Sequence, residues 1–141
     1  NDEWYRFDKD GNMIKDSWFE ENGKWYYLES NGTMSKNEWV LVDGNWYFAN
    51  ASGRIASNEW FIFNGSWYFA NTSGRIASNE WFMVNGIWYF ANASGRIAAN
   101  EWFMVDGNWY YAENDGRIAQ SKTLNINNVN YTFDSNGVLV K

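Results

Sequence analysis

The sequence predicts an all-β solenoid of stacked β-hairpins. Three observations carry that prediction. Seven glycines (Gly11, Gly32, Gly53, Gly74, Gly95, Gly116 and Gly137) recur every 21 residues. A turn dipeptide recurs with the same period: Asn22-Gly23, Asp43-Gly44, Asn64-Gly65, Asn85-Gly86 and Asp106-Gly107. Two tryptophans flank each of those dipeptides, seven residues apart. Self-similarity at a fixed period of this size is the signature of a repeat array whose units bury their faces on one another.

The elements follow in chain order. Residues 1–16 are part of a first repeat, and the chain begins inside that repeat at Trp4, as a mature fragment of a larger protein would. Each full repeat then opens with a hairpin. Asn-Gly and Asp-Gly between apolar runs suit a two-residue type I′ turn, which needs positive φ at both central residues. With Asn85-Gly86 as the turn, Val84 faces Ile87, Met83 faces Trp88, Phe82 faces Tyr89 and Trp81 faces Phe90. Side chains alternate along a strand. One face therefore carries Trp81, Met83, Trp88 and Phe90, and the other Phe82, Val84, Ile87 and Tyr89. Both faces are apolar, and an isolated hairpin is marginal in water. Stacking hairpin on hairpin resolves both difficulties.

The segment after each hairpin, such as ASGRIAAN from Ala93 to Asn100, reads as a turn and a connector in which Ile97 fills the core and Arg96 points outward. Phe61, Phe82, Phe103, Val42, Ile55 and Ile76 are expected in the core. The last repeat deviates. Its turn reads Asn127-Asn128, and Thr123 and Asn130 stand where the two tryptophans should be. Residues 120–141 are read as a capping repeat closing an array over residues 1–119, all in one domain.

Composition narrows the chemistry. The 141 residues include no Cys, His or Pro, while Phe, Trp and Tyr make up 21% and Trp alone contributes 11 residues. Without His the commonest general base and metal ligand are gone, and without Cys there is neither disulfide nor thiolate. The net charge of -6 opposes a nucleic-acid partner, which needs a basic surface. No apolar run approaches the roughly 18 residues of a membrane span. The carboxylates repeat as a set, whereas an active site is normally one constellation. A non-enzymatic module without cofactor or metal is expected. Asp8-Lys9-Asp10-Gly11-Asn12 resembles the start of a calcium loop but reads as a β-turn, and the sequons at Asn50, Asn71 and Asn92 read as turn formers.

The tryptophan positions never change across five hairpins, although their neighbours vary among Leu41, Ile62, Met83 and Met104. Aliphatic tolerance beside an aromatic requirement points to use of the π face. Both tryptophans of a hairpin share one face, and stacking sets that face against the Tyr of the next hairpin. Three-walled boxes are therefore expected from Trp18, Trp25 and Tyr47; Trp39, Trp46 and Tyr68; Trp60, Trp67 and Tyr89; Trp81, Trp88 and Tyr110; and Trp102, Trp109 and Tyr131. Such a box suits a quaternary ammonium, each wall contributing on the order of 0.5–2 kcal/mol. Three walls give about 3–5 kcal/mol, near-millimolar affinity. Repetition against a polymer can add roughly 10²–10⁴ by avidity. Burial of every tryptophan in a structural stalk is the competing reading.

At these residues the sequence resembles a known family. The pattern W-x-x-x-[ND]-G-x-W-Y-[YF]-x-x-x-x-G, carried by Trp60 to Gly74 and its copies, is similar to the choline-binding, or cell-wall-binding, repeats of Gram-positive bacteria and their phages. The resemblance covers essentially the whole chain. It implies a superhelix of stacked hairpins on a secreted, surface-attached protein, anchoring an attached domain to choline on teichoic acids. The ten tryptophans of the boxes would be pocket walls, with either the middle Tyr or the residue after it (Phe48, Phe69, Phe90, Tyr111) as the third wall. C-terminal hairpins of the family sometimes pair, which would make residues 120–141 a homodimer contact. Two departures stand out: N-E-W, as at Asn58-Glu59-Trp60, replaces the usual T-G-W, and Arg54, Arg75, Arg96 and Arg117 follow the later Gly. Arg and Glu of one connector are read as an exposed ion pair, or as charges turned to the pocket or to a teichoic phosphate. Similar aromatic repeats serve glucan-binding tails, so stacking on sugar rings of a glucan or peptidoglycan is the alternative function.

Overall fold

The computed structural model describes residues 5–140. Twelve five-residue strands form six two-stranded sheets: β1 (Ser17–Glu21) with β2 (Lys24–Leu28), β3 (Glu38–Val42) with β4 (Asn45–Ala49), β5 (Glu59–Phe63) with β6 (Ser66–Ala70), β7 (Glu80–Val84) with β8 (Ile87–Ala91), β9 (Glu101–Val105) with β10 (Asn108–Ala112), and β11 (Lys122–Ile126) with β12 (Val129–Phe133). No helix occurs among the described residues. The all-β hairpin architecture is as the period predicts. By packing the chain divides into two compact units, residues 1–61 with 69–76 and residues 62–68 with 77–141.

The turns explain the register. Asn85 and Gly86 have φ of 52° and 80°, and Asp106 and Gly107 have 51° and 83°. Two consecutive left-handed residues twist the chain so that the flanking strands pair across a two-residue loop. Trp81 accordingly pairs with Phe90, Phe82 with Tyr89, Met83 with Trp88 and Val84 with Ile87. Asn127 and Asn128 keep the same geometry with φ of 52° and 71°, so the sixth turn survives the loss of its glycine.

After each hairpin the chain turns back on itself. The side-chain Oδ1 of Asn50 accepts hydrogen bonds from the backbone N–H groups of Ser52 and Arg54 and from the Ser52 hydroxyl. Asn71 and Asn92 do the same. These asparagines are turn formers, as read from sequence. Asp8 caps its own turn in the same way, accepting from the N–H groups of Asp10 and Asn12. The connector then bridges back to its own hairpin, Ile55 opposite Ala49 and Ile97 opposite Ala91.

Hairpins are locked in succession by one backbone hydrogen bond each. Ile55 N–H donates to the Trp25 carbonyl at 2.8 Å, Ile76 to Trp46 at 2.8 Å, Ile97 to Trp67 at 2.9 Å, Ile118 to Trp88 at 3.1 Å and Leu139 to Trp109 at 2.9 Å. In the first unit, Val40, Ala49 and Ile55 form a buried cluster packed by Trp18, Tyr27, Val42 and Tyr47. In the second, Phe90, Ala98, Ala112 and Ile118 are packed by Trp81, Phe103, Val105 and Tyr110. Ile55, Ile76 and Ile97 are buried as expected. Phe61, Phe82, Phe103 and Val42 are only half-buried.

Candidate functional site

Cross-strand pairing places both tryptophans of a hairpin on one face, and stacking turns that face toward the next hairpin. Trp18 meets Tyr47 edge to face with ring centroids 4.8 Å apart. Trp81 meets Tyr110, and Trp102 meets Tyr131, each at 4.8 Å. The two tryptophans of a hairpin stand nearly perpendicular, 6.5 Å apart for Trp39 and Trp46 and 6.4 Å for Trp102 and Trp109. Perpendicular indoles with a tyrosine beside one of them form three sides of a box. Of the five triads expected from sequence, three lie within one unit, and in each the first tryptophan meets its tyrosine. The triads Trp39–Trp46–Tyr68 and Trp60–Trp67–Tyr89 draw residues from both units.

The two tryptophans are not equivalent. The first of each hairpin is half-buried. Trp81 packs on Phe90 and Phe103 as well as on Tyr110. The second is open to solvent: Trp25, Trp46, Trp67, Trp88 and Trp109 retain 37–50% of their surface. An indole is apolar over most of its area, so five exposed tryptophans in register are an unusual cost that a sealed core would avoid.

Two of the boxes open onto recesses. Trp18, Trp25 and Tyr47 line one of about 410 Å³ together with Ile55, Ser57, Thr72, Ser73 and Gly74. Trp81, Trp88 and Tyr110 line one of about 360 Å³ with Ile118, Gln120, Ser135 and Asn136. The third ring in both is the middle tyrosine. Phe48 and Tyr111, the other candidates for these two pockets, pack instead on the first tryptophan of their own hairpin, 5.0 Å from Trp39 and 5.1 Å from Trp102.

Sequence reasoning missed the fourth side. It comes from the connector after the second hairpin and from the turn after the third, so one pocket takes residues from three successive repeats. The 21-residue glycine period held the signal. A Cβ on Gly74 would lie 3.4 Å from Cδ2 of Tyr47 and 3.4 Å from the Ala56 carbonyl oxygen. Gly116 meets Tyr89 and Gly137 meets Tyr110 in the same manner. These glycines have φ near +90° and also let the turn rest against the tyrosine wall.

Charge is paired within the connectors. Arg54 forms a forked ion pair with Glu59, at 2.8 and 3.2 Å, and Arg96 does so with Glu101, at 3.0 and 3.3 Å. The same carboxylates accept from the backbone N–H groups of Ser57 and Ala99. The Arg54 hydrogen bond holds the Glu59 carboxyl below its ordinary pKa against the opposing effect of burial. For Glu101 burial is the largest influence and acts upward, but Arg96 and the Ala99 N–H together outweigh it and the pKa is lowered. Both pairs are partly exposed, matching the ion-pair reading of the sequence. In the first connector, Thr33 stands at the arginine position and Glu38 bonds to the Glu29 side chain, which raises the pKa of Glu38.

Fold and site together define a class: a hairpin-repeat module that presents aromatic cages between layers. The comparisons with known proteins fall in the same class. The family profile described as a choline-binding repeat matches residues 1–39 and 18–60, and a cell wall binding repeat profile matches residues 58–76, 79–97 and 100–118. Choline binding protein F from Streptococcus pneumoniae, solved in the presence of a peptidoglycan analogue and also in complex with ipratropium, is 34% identical. The former superimposes with a TM-score of 0.84 over 99% of this chain and 44% of that one. The choline-binding domain of CbpL from Streptococcus pneumoniae is 30% identical, with a TM-score of 0.77 over 98% of this chain and 72% of that one. The modular Cpl-1 endolysin, complexed with a peptidoglycan analogue, is 26% identical, with a TM-score of 0.62 over 91% of this chain and 38% of that one. No curated protein sequence matches the chain. The chain belongs to the choline-binding repeat family, and it spans less than half the length of choline binding protein F.

Proposed function

We propose that the chain is a non-catalytic cell-wall-binding module that holds an attached domain at the bacterial surface by gripping choline on teichoic acids, many times and weakly. One observation carries the reading: two tryptophans from one hairpin and a tyrosine from the next line an open cavity, and the second indole of each pair stays in contact with water. A trimethylammonium group is large, apolar at its surface and positively charged. It gains from ring quadrupoles and from methyl contact at once. The acidic balance of the chain favours such a cation over an anion. A relative that takes ipratropium supports the chemistry, since that molecule also carries a quaternary nitrogen. The three triads that lie within one unit are assigned this role, and the middle tyrosine is assigned as their third wall.

The test is a choline titration followed by the indole resonances of the individual tryptophans. Saturation in the millimolar range is expected, with maltodextrin and muropeptides as controls. Trp88→Ala should erase the response of its own pocket and leave that of Trp25. Silence to choline at tens of millimolar, with a response to maltodextrin, would transfer the proposal to the sugar-binding reading.

A further inference from the structure

The two cavities share their aromatic walls but differ in the side that the third repeat supplies. In the first pocket that side is made of short hydroxyl residues, Ser57, Thr72 and Ser73. In the pocket of Trp81 and Trp88, the corresponding positions 63 residues on carry Gln120, Ser135 and Asn136. A lip of hydroxyls has become a lip with two amides. One of those amides is held in place. Gln120 Nε2 donates to the Ser135 carbonyl oxygen at 3.0 Å, tying the connector to the turn across 15 residues of chain. That bond uses one of the two amide hydrogens and leaves the other hydrogen and Oε1 for a ligand. In the first pocket, by contrast, Ser73 spends its hydroxyl hydrogen on Asn71 Oδ1 at 2.8 Å.

From this difference, and resting on the cation reading above, we infer that the Trp81–Trp88–Tyr110 pocket has an amide lip that reads the hydroxyl groups of a neutral sugar next to the quaternary ammonium, which the Trp18–Trp25–Tyr47 pocket does not. Amides offer donors and acceptors side by side, which match the paired hydroxyls of a pyranose. A phosphate needs donors only, and the local charge opposes it. Asp134 stands at the head of the same turn, its Oδ1 accepting from the N–H groups of Asn136 and Val138 at 2.9 Å. The first pocket has neutral Asn71 at that place. Arg117 offers little compensation, since its nearest carboxylate partner is Asp115 at 3.7 Å. The two pockets would thus hold the same cation while differing in what carries it, so one array could grip a polymer at two kinds of locus.

The inference is tested on the whole chain with three probes: choline, 2-(trimethylammonio)ethyl glucoside and phosphocholine. Affinities are read at the Trp88 and Trp25 indole resonances. At Trp88 the glucoside should bind about fivefold tighter than choline, the gain of one net hydrogen bond, and phosphocholine should gain nothing. At Trp25 glucoside and choline should bind alike. Gln120→Ser combined with Asn136→Ser, which installs residue types of the first lip, should abolish the glucoside preference at Trp88. The far-UV circular dichroism of the variant should match that of the parent, and that match reports an intact fold. Equal affinity of glucoside and choline at Trp88, or a preference there for phosphocholine, overturns the amide lip and leaves the choline reading standing. If choline moves no indole at all, the cation reading fails and takes the lip with it.

Discussion

The hairpins β9–β10 and β11–β12 have the same backbone and different faces. Both have five-residue strands, a two-residue left-handed turn and the same register, Trp102 opposite Tyr111 in one and Thr123 opposite Thr132 in the other. Both are joined to the hairpin before by a connector N–H to a tryptophan carbonyl. Both keep the face that looks back: Tyr131 packs on Trp102 as Tyr110 packs on Trp81. The forward faces diverge. Where β9–β10 carries Trp102, Met104, Trp109 and Tyr111, β11–β12 carries Thr123, Asn125, Asn130 and Thr132. These polar side chains are exposed and satisfy one another, Thr123 with Thr132 and Asn125 with Asn130, both at 2.9 Å. A hairpin of this fold therefore forms without either indole. What the backward face needs is structural; the exposed second indole of the forward face is what the proposed function assigns to a ligand.

The sharpest way to break that division is to attack a residue serving structure alone. Phe133 is 1% exposed, lies 5.7 Å from Trp102 and belongs to the hairpin without indoles. Phe133→Ala should cost about 3–5 kcal/mol, as large-to-small changes of buried aromatic residues do. Urea denaturation of the chain would report it. A cost below about 1 kcal/mol would mean that the last hairpin is an appendage with no structural part.

A graft of the polar face sharpens the comparison. Trp102→Thr with Trp109→Asn copies the forward tryptophan positions of β11–β12 onto β9–β10. Trp109 is exposed and contributes little to packing, whereas Trp102 is half-buried against Tyr111, Tyr131 and Phe133. The double variant should lose about 1–2 kcal/mol and keep its hairpins. It should lose the choline response of that pocket while the Trp88 indole still titrates. Global unfolding would contradict the lesson of the sixth hairpin.

Much of this was legible in the residues, and the reasons are physical. Asn85-Gly86 fixes a turn, the turn fixes register, and register fixes which residues share a face. Trp81, Trp88 and Tyr110 could thus be brought together from spacing alone. Ser57, Thr72 and Ser73 could not. Their place depends on the connector folding back so that the Ile55 N–H reaches the Trp25 carbonyl, a backbone contact across 30 positions that leaves no mark in strand alternation. The unequal exposure of Trp81 and Trp88 was hidden too. It follows from Trp81 pairing with buried Phe90 while Trp88 pairs with exposed Met83 toward the tip.

The connectors extend the comparison at smaller energies. Glu59 and Glu101 have lowered pKa values in the folded chain. Such a group contributes stability above its unfolded pKa and loses it as pH falls through the folded value, so the contribution fades below the ordinary glutamate value of 4.5. Glu38 has a raised pKa, with the opposite sign: its favourable contribution is complete below the unfolded pKa and is lost as pH rises through the folded one. The cause is the Glu29 side chain, an acid where Arg54 and Arg96 supply cations to the later connectors. Being exposed, all these groups are screened by water and salt, and none should exceed about 1 kcal/mol. Glu101→Gln should destabilise the chain by up to about 1 kcal/mol at pH 7 and by less at pH 3, below the unfolded value, where protonation removes part of that contribution. Glu38→Gln should do the reverse, stabilising by a few tenths of a kcal/mol at pH 7 and leaving stability unchanged at pH 3. Paired urea melts at the two pH values would decide it, and a Glu38→Gln chain less stable than the parent at pH 7 would show that Glu29 and Glu38 do not repel across that connector.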